Sequence, residues 1–151
     1  MSDLRALYQE VILDHSRNPR NTGPLPGANH EAQGNNPLCG DEITLHVRTE
    51  NGVITAITFE GSGCAISTAS ASLMTEVVKG KTPAEVESLF ETFHDMVTGD
   101  PSEKVEAPTE LGKLSVMAGV REFPVRVKCA TLAWHTLQAA LSEDEKVIST
   151  E

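Results

Sequence analysis

Apolar residues recur along the chain with two different periods, and the changes between them mark out the elements. Leu4, Leu7, Tyr8, Val11 and Ile12 fall at i, i+3, i+4, i+7 and i+8, which is one face of a helix over residues 3–16. Pro19 disfavours helical geometry at Asn18 and ends it, and a loop rich in Gly and Pro follows from Thr22 to Gly27. Ile43, Leu45 and Val47 then alternate with Thr44, His46 and Arg48. After Asn51-Gly52 the odd positions Val53, Thr55, Ile57 and Phe59 keep the period of two. Asn-Gly tolerates the positive φ of a type I′ turn, so an antiparallel hairpin is expected over residues 42–60, with residues 29–34 as a third, shorter strand.

Helical patterning returns after Cys64. Ala65 to Lys79 contains neither Gly nor Pro and carries Ile66, Ala69, Leu73 and Val77, a packed helix. Thr82-Pro83-Ala84-Glu85 reads as a helix start with Thr82 as N-cap, Pro83 at the first position and Glu85 closing a capping box. That helix should run to about Met96. A polar, acidic linker spans Gly99 to Pro108, and Leu111 to Val120 suit a short helix. Phe123 to Lys128 reads as extended, ahead of a last amphipathic helix marked by Ala130, Ala133, Trp134, Leu137 and Leu141. The expected fold class is α+β: a small antiparallel sheet of about three strands packed by helices. Residues 1–151 are expected to form one domain, with a flexible tail over about 143–151.

Composition narrows the function. At 151 residues the chain can bury a core without a metal to staple it. A net charge of -10, from 22 acidic and 12 basic residues, would repel a phosphate backbone, so nucleic acid is not expected as a partner. No apolar run reaches the length of a membrane span, and Met1-Ser2-Asp3-Leu4-Arg5 lacks a secretion-signal pattern, so neither membrane nor export is expected and the compartment reads as cytoplasmic. Three cysteines, an odd number, favour thiol chemistry or metal binding over a disulfide framework.

The candidate chemistry lies in three places. Cys39 and Asp41 leave one loop, Pro37-Leu38-Cys39-Gly40-Asp41, where Gly40 permits a tight turn. Cys64 follows Gly61-Ser62-Gly63 at the start of a predicted helix, and Cys129 stands where the extended segment meets the last helix. Both of the latter are thus expected at helix N-termini, where unpaired N–H groups and the helix dipole depress thiol pKa values, so thiolates are expected near neutral pH. Thiolates are the nucleophiles of sulfur transfer and the ligands of zinc and iron, and three of them with one carboxylate suffice for a tetrahedral zinc site. Against this stands the plainer reading of each cysteine as a small buried apolar residue, since the wide spacings match no zinc-finger pattern. Arg126 and Lys128 flank the last cysteine, either as cations that stabilise its charge or as solvated residues. His15 stands at a helix end, where a histidine is more often structural than a ligand, and His30, His46, His94 and His135 have no supporting motif, so none of the five is expected in the metal site.

Four ordered motifs carry a family resemblance. Leu7-Tyr8-Gln9-Glu10-Val11-Ile12-Leu13-Asp14-His15 with Asn18-Pro19-Arg20-Asn21 resembles the opening of the SufU and IscU scaffold family, which includes NifU N-terminal-like proteins. So do Asn36-Pro37-Leu38-Cys39-Gly40-Asp41, Gly61-Ser62-Gly63-Cys64-Ala65-Ile66-Ser67 and Val127-Lys128-Cys129-Ala130-Thr131-Leu132, and the likeness runs from about residue 4 to 141. The resemblance implies a compact α+β domain in which Cys39, Asp41, Cys64 and Cys129 converge on one site. It implies Zn2+ there or, alternatively, a transient 2Fe-2S cluster, with sulfur received as a persulfide from a cysteine desulfurase.

Two departures from the IscU pattern resemble the SufU branch. Lys128 stands where IscU-type scaffolds carry a histidine, and the Cys64 to Cys129 segment is longer, its Gly112 to Pro124 stretch resembling the SufU insertion. The chaperone-recognition motif Leu-Pro-Pro-Val-Lys of IscU is replaced by Phe123-Pro124-Val125-Arg126-Val127-Lys128. The SufU likeness implies a zinc-dependent sulfurtransferase that takes sulfur from a SufS-type desulfurase and passes it to downstream iron-sulfur assembly proteins. Cys39 is the expected acceptor, because a Gly-containing loop can swing, and Asp41, Cys64 and Cys129 are expected to hold the metal. A stable cluster scaffold and a structural zinc-binding interaction module are the alternatives.

Overall fold

The computed structural model describes residues 2–37, 39–100, 109–142 and 147–149. Helix α1 (Ser2–Arg17) leads through a loop into strands β1 (His30–Asn36), β2 (Asp41–Glu50) and β3 (Val53–Ser62). Helices α2 (Ala65–Val78) and α3 (Pro83–Thr98) follow, then a 3-10 segment (Thr109–Glu122), helix α4 (Pro124–Ser142) and a short strand β4 (Val147–Ser149). The sheet order is β3-β2-β1-β4. The first three strands pair antiparallel with one another, as expected, while β4 lies parallel to β1 and occupies part of the stretch read as a tail. The linker expected over Gly99 to Pro108 falls mostly outside the described residues.

The hairpin forms where Asn51 and Gly52 both take positive φ, 54° and 76°. Its far strand departs from the simple alternation: Arg48 pairs with Ala56 but Thr49 with Ile54, so a bulge inserts one residue into β3. The bulge moves Ile54 inward with Ile57 and Phe59 and leaves Val53 and Thr55 only partly covered. Helix α4 packs on β1 and β2, α2 on β3, α1 on α2, and α3 on α4 and the 3-10 segment. Helices therefore cover the sheet face that carries Ala32, Leu45, Val47 and Ile57. Trp134 stacks on Phe90 and Phe93 of α3 with ring centroids 5.8 and 5.4 Å away, which joins the two helices.

Helix α3 begins as its sequence dictates. Thr82 Oγ1 accepts the Glu85 N–H at 3.2 Å while Glu85 Oε1 accepts the Thr82 N–H at 3.0 Å. At its other end Arg121 donates from Nε and Nη2 to the Met96 carbonyl at 2.9 and 2.6 Å, serving an acceptor the helix cannot satisfy itself. The expected helix over residues 111–120 is a 3-10 segment broken at Gly112, where φ is 54°.

One expectation is overturned. Phe123 to Lys128 is not extended: α4 starts at Pro124, with Arg126 N–H donating to the Phe123 carbonyl at 2.8 Å. The Val-Arg-Val alternation imitates a strand, but Pro124 sits at the first helical position, where its fixed φ suits a helix and its missing N–H costs nothing. Cys129 is consequently inside α4 and not at a helix N-terminus.

Candidate metal and thiol site

The alternation that builds the sheet also builds the site. On β2 the period of two buries Ile43, Leu45 and Val47 and, one step earlier, Asp41; on β1 it buries Ala32, Gly34 and Asn36. Register pairs Asn36 with Asp41 at the end of the β1–β2 ladder, so two polar side chains enter the covered face where the apolar residues stop. Between them the chain turns, with Cys39 N–H donating to the Asn36 carbonyl at 3.2 Å and Gly40 at φ 71°. Cys39 is partly exposed in this turn.

Cys64 arrives from the other side as the N-cap of α2, its sulfur accepting the Ser67 N–H at 3.4 Å. Its backbone N–H donates to Asp41 Oδ1 at 2.8 Å, and its Sγ lies 3.9 Å from Asp41 Oδ2. Gly63 makes this approach possible, because a Cβ there would stand 2.7 Å from Asp41 Oδ1. Cys129 reaches in from the second turn of α4, only 1% exposed, with its Sγ 3.1 Å from Cys39 Sγ. Asn36 Nδ2 lies 3.4 Å from Asp41 Oδ2 and 3.5 Å from Cys129 Sγ.

The ligand atoms of Cys39, Asp41 and Cys129 all lie within 4.8 Å of one another, and Cys64 stands beside this group. Donors around one tetrahedral zinc lie about 3.8 Å apart for Zn–S bonds of about 2.3 Å, so the group is within small adjustments of ligation. The donor set of soft sulfurs with one hard oxygen fits that ion. Among the described residues, none of the five histidines joins this group. Burial, reinforced by hydrogen bonds to Cys39, Asp41 and Cys64, pushes the Cys129 thiol far above the ordinary cysteine range. The expectation of an activated position at a helix N-terminus thus fails for Cys129, where burial works against the thiolate.

A cleft of about 750 Å3 opens over the site, lined by Cys39, Cys64 and Cys129 and by residues of α1 and the start of α4. Leu13, Phe123 and Val125, large apolar side chains left exposed, all line it. Arg126 also lines the cleft, its guanidinium 5.1 Å from the Phe123 ring centre. Two residues at the site escaped the sequence reading as contributors, Asn36 and Gly63. The parity of Asn36 with Ala32 and Gly34 carried its signal; for Gly63, only its position before Cys64 did.

Fold and site together define an α+β protein that gathers thiols and a carboxylate at the covered end of an antiparallel sheet. The NifU-like N terminal domain model matches residues 7–130, and the chain belongs to that family. It is 45% identical over 141 residues to the iron-sulfur cluster assembly scaffold protein IscU of Streptococcus pyogenes serotype M1, covering 93% of this chain and 86% of that one. Against the zinc-dependent sulfurtransferase SufU of Bacillus subtilis (strain 168) it is 40% identical over 144 residues, 95% of each chain. A crystal structure described as an iron-sulfur cluster assembly scaffold protein for the SUF system, from Fervidobacterium islandicum AW-1, superposes with a TM-score of 0.80 at 35% identity. That likeness covers 91% of this chain and 98% of the other. No described helix is long and apolar enough to cross a membrane.

Proposed function

We propose that the chain is a zinc-binding sulfur acceptor in iron-sulfur cluster assembly, acting as one domain in the cytoplasm. Cys39, Asp41, Cys64 and Cys129 would hold the zinc, which supplies charge neutralisation for the thiolates and a fixed geometry around them. The observation that carries this reading is the grouping of Cys39, Asp41 and Cys129 donor atoms within 4.8 Å at the base of an open cleft, with Cys64 alongside. The similarity to the zinc-dependent sulfurtransferase SufU supports the choice of ion and reaction.

Cys39 is the acceptor in this reading, because it is partly exposed in a turn, whereas Cys64, partly exposed too, is tied to the start of α2 as its N-cap and Cys129 is buried in a helix. Its thiolate attacks the outer sulfur of a cysteine persulfide on the desulfurase. A new S–S bond forms at Cys39 as the old one breaks, and the electron pair of the old bond leaves on the desulfurase cysteine as a thiolate. No outside oxidant or reductant is needed. The carried sulfur then passes to downstream assembly proteins. Leu13, Phe123 and Val125 around the cleft give a SufS-type desulfurase an apolar surface on which to dock.

Metal analysis of the purified chain, paired with desulfurase turnover with and without it, tests the reading. One zinc per chain and a persulfide on Cys39, absent in Cys39→Ser, are expected; undiminished sulfur uptake by Cys39→Ser sinks the assignment. The relative named IscU favours a second reading, in which the same donors assemble a transient 2Fe-2S cluster. Iron with acid-labile sulfide and visible colour would establish that one, and zinc without sulfur uptake would indicate a structural interaction module.

A further inference from the structure

Asn36 is completely buried at the end of β1, and it touches three of the residues just proposed as ligands. Its backbone carbonyl accepts the Cys39 N–H at 3.2 Å, which shapes the turn. Its Nδ2 faces Asp41 Oδ2 at 3.4 Å and Cys129 Sγ at 3.5 Å, while its Oδ1 has no hydrogen-bond partner among the described residues. A buried amide oxygen left unpaired costs about 1–3 kcal/mol, which the two contacts of the NH2 end work to offset. A flipped amide would set its oxygen against a carboxylate oxygen, acceptor against acceptor.

We propose that Asn36 is a positioning residue whose two Nδ2 protons are shared between the Asp41 carboxylate and the Cys129 sulfur, holding both for a bound cation and moderating the charge that Cys129 donates to it. The inference rests on the reading of Asp41 and Cys129 as ligands. An amide suits the task for three reasons. It carries two protons on one nitrogen, matching two acceptors within 4.8 Å of each other. It is neutral, so it does not oppose the cation as Lys or Arg would. Its acceptors also keep lone pairs free, since a carboxylate oxygen or a thiolate can accept a hydrogen bond and still ligate. Asp41 is thereby fixed from both sides, Oδ1 by the Cys64 N–H at 2.8 Å and Oδ2 by Asn36.

The direct test uses the unmutated full chain, nitrogen-15 labelled and loaded with cadmium-113. An Asn36 side-chain amide proton is expected to show scalar coupling to the cadmium, carried through Cys129 Sγ. Coupling of the Cys129 β-protons in the same sample reports separately that Cys129 is a ligand. If the β-protons couple and the Asn36 amide does not, the proposal is overturned while the metal site stands. Were neither to couple, the ligand reading would fail and the inference with it. With cobalt in the site, Asn36→Leu should move the thiolate charge-transfer bands to lower energy and weaken metal binding by about 10–100-fold. Asn36→Ser, which keeps one donor, should lie closer to the parent in both; bands unchanged in both variants would overturn the hydrogen-bonding role.

Discussion

Gly63 offers a sharp test of how rigidly Asp41 is held. A methyl group there would lie 2.7 Å from Asp41 Oδ1, 3.2 Å from its Cγ and 3.3 Å from its Cβ. Ordinary contact begins at about 3.4 Å, so the oxygen would have to retreat by about 0.7 Å. It cannot do so freely, being 1% exposed and bonded to the Cys64 N–H at 2.8 Å. The retreat stretches that bond to the limit of hydrogen bonding, and a hydrogen bond to a charged acceptor contributes about 1.5–3 kcal/mol. At about 1.4 kcal/mol per tenfold, Gly63→Ala should weaken zinc binding by about 10–100-fold. Equilibrium competition with a chromophoric chelator measures this. Gly23→Ala is the control: φ is 96° and nothing lies within 4 Å of the added carbon, so it should cost stability without altering affinity. Parent affinity in Gly63→Ala would mean that the Asp41 carboxylate is not a positioned ligand.

Thr82→Ala removes one half of the capping box and should cost about 0.5–2 kcal/mol in urea unfolding, with zinc affinity unchanged. In the metal-free chain Cys129 should be the slowest of the three cysteines to react with iodoacetamide at neutral pH, since it is buried and its thiol is pushed up; peptide mapping by mass spectrometry reads the order. His15 is 1% exposed with Nδ1 2.7 Å from Ser72 Oγ, and burial holds its pKa below the ordinary histidine value. The unfolded chain therefore takes up this proton first, so the His15 contribution is complete above about pH 6.5 and is lost as pH falls from there toward the lower folded value. Unfolding free energies measured across that window should show a shallower slope in His15→Asn than in the parent.

Much of this architecture was legible because local signals agreed with tertiary ones. Asn51-Gly52 specified the hairpin turn, Thr82-Pro83-Ala84-Glu85 the start of α3, and Cys64 the start of α2. Where one local signal imitated another, the reading failed. Val125 and Val127 alternate as in a strand, but the proline before them and the residues they precede make the segment the first turns of α4. The error propagated into chemistry, since it set Cys129 at an activated helix terminus when the residue lies in a buried helix interior. The bulge at Arg48 and Thr49 could not be read either, because a single inserted residue leaves the composition of both strands intact. Asn36 was hidden for a different reason: its importance follows from a register that places it opposite Asp41, and register is a property of the paired strands.

The division of the site among its elements has a mechanical consequence. Cys129 cannot move without unpacking α4, where Ala130, Leu132, Ala133 and Trp134 are all buried. Asp41 is bonded to the Cys64 N–H, and Cys64 is tied to α2 by its own capping bond. Among the described residues, Cys39 is held differently, by one turn hydrogen bond to the Asn36 carbonyl and by contact with Cys129. Withdrawing it costs one or two weak interactions, whereas withdrawing any other donor breaks a helix start or a packed core. On the proposed reading, a partner that places a substitute ligand at the cleft mouth can release Cys39 alone and leave the remaining donors in register. Cys64 is partly exposed as well but is anchored as a helix cap, so Cys39 combines exposure to the incoming sulfur with freedom to leave, and this coincidence arises because β1 and β2 are joined by a short turn.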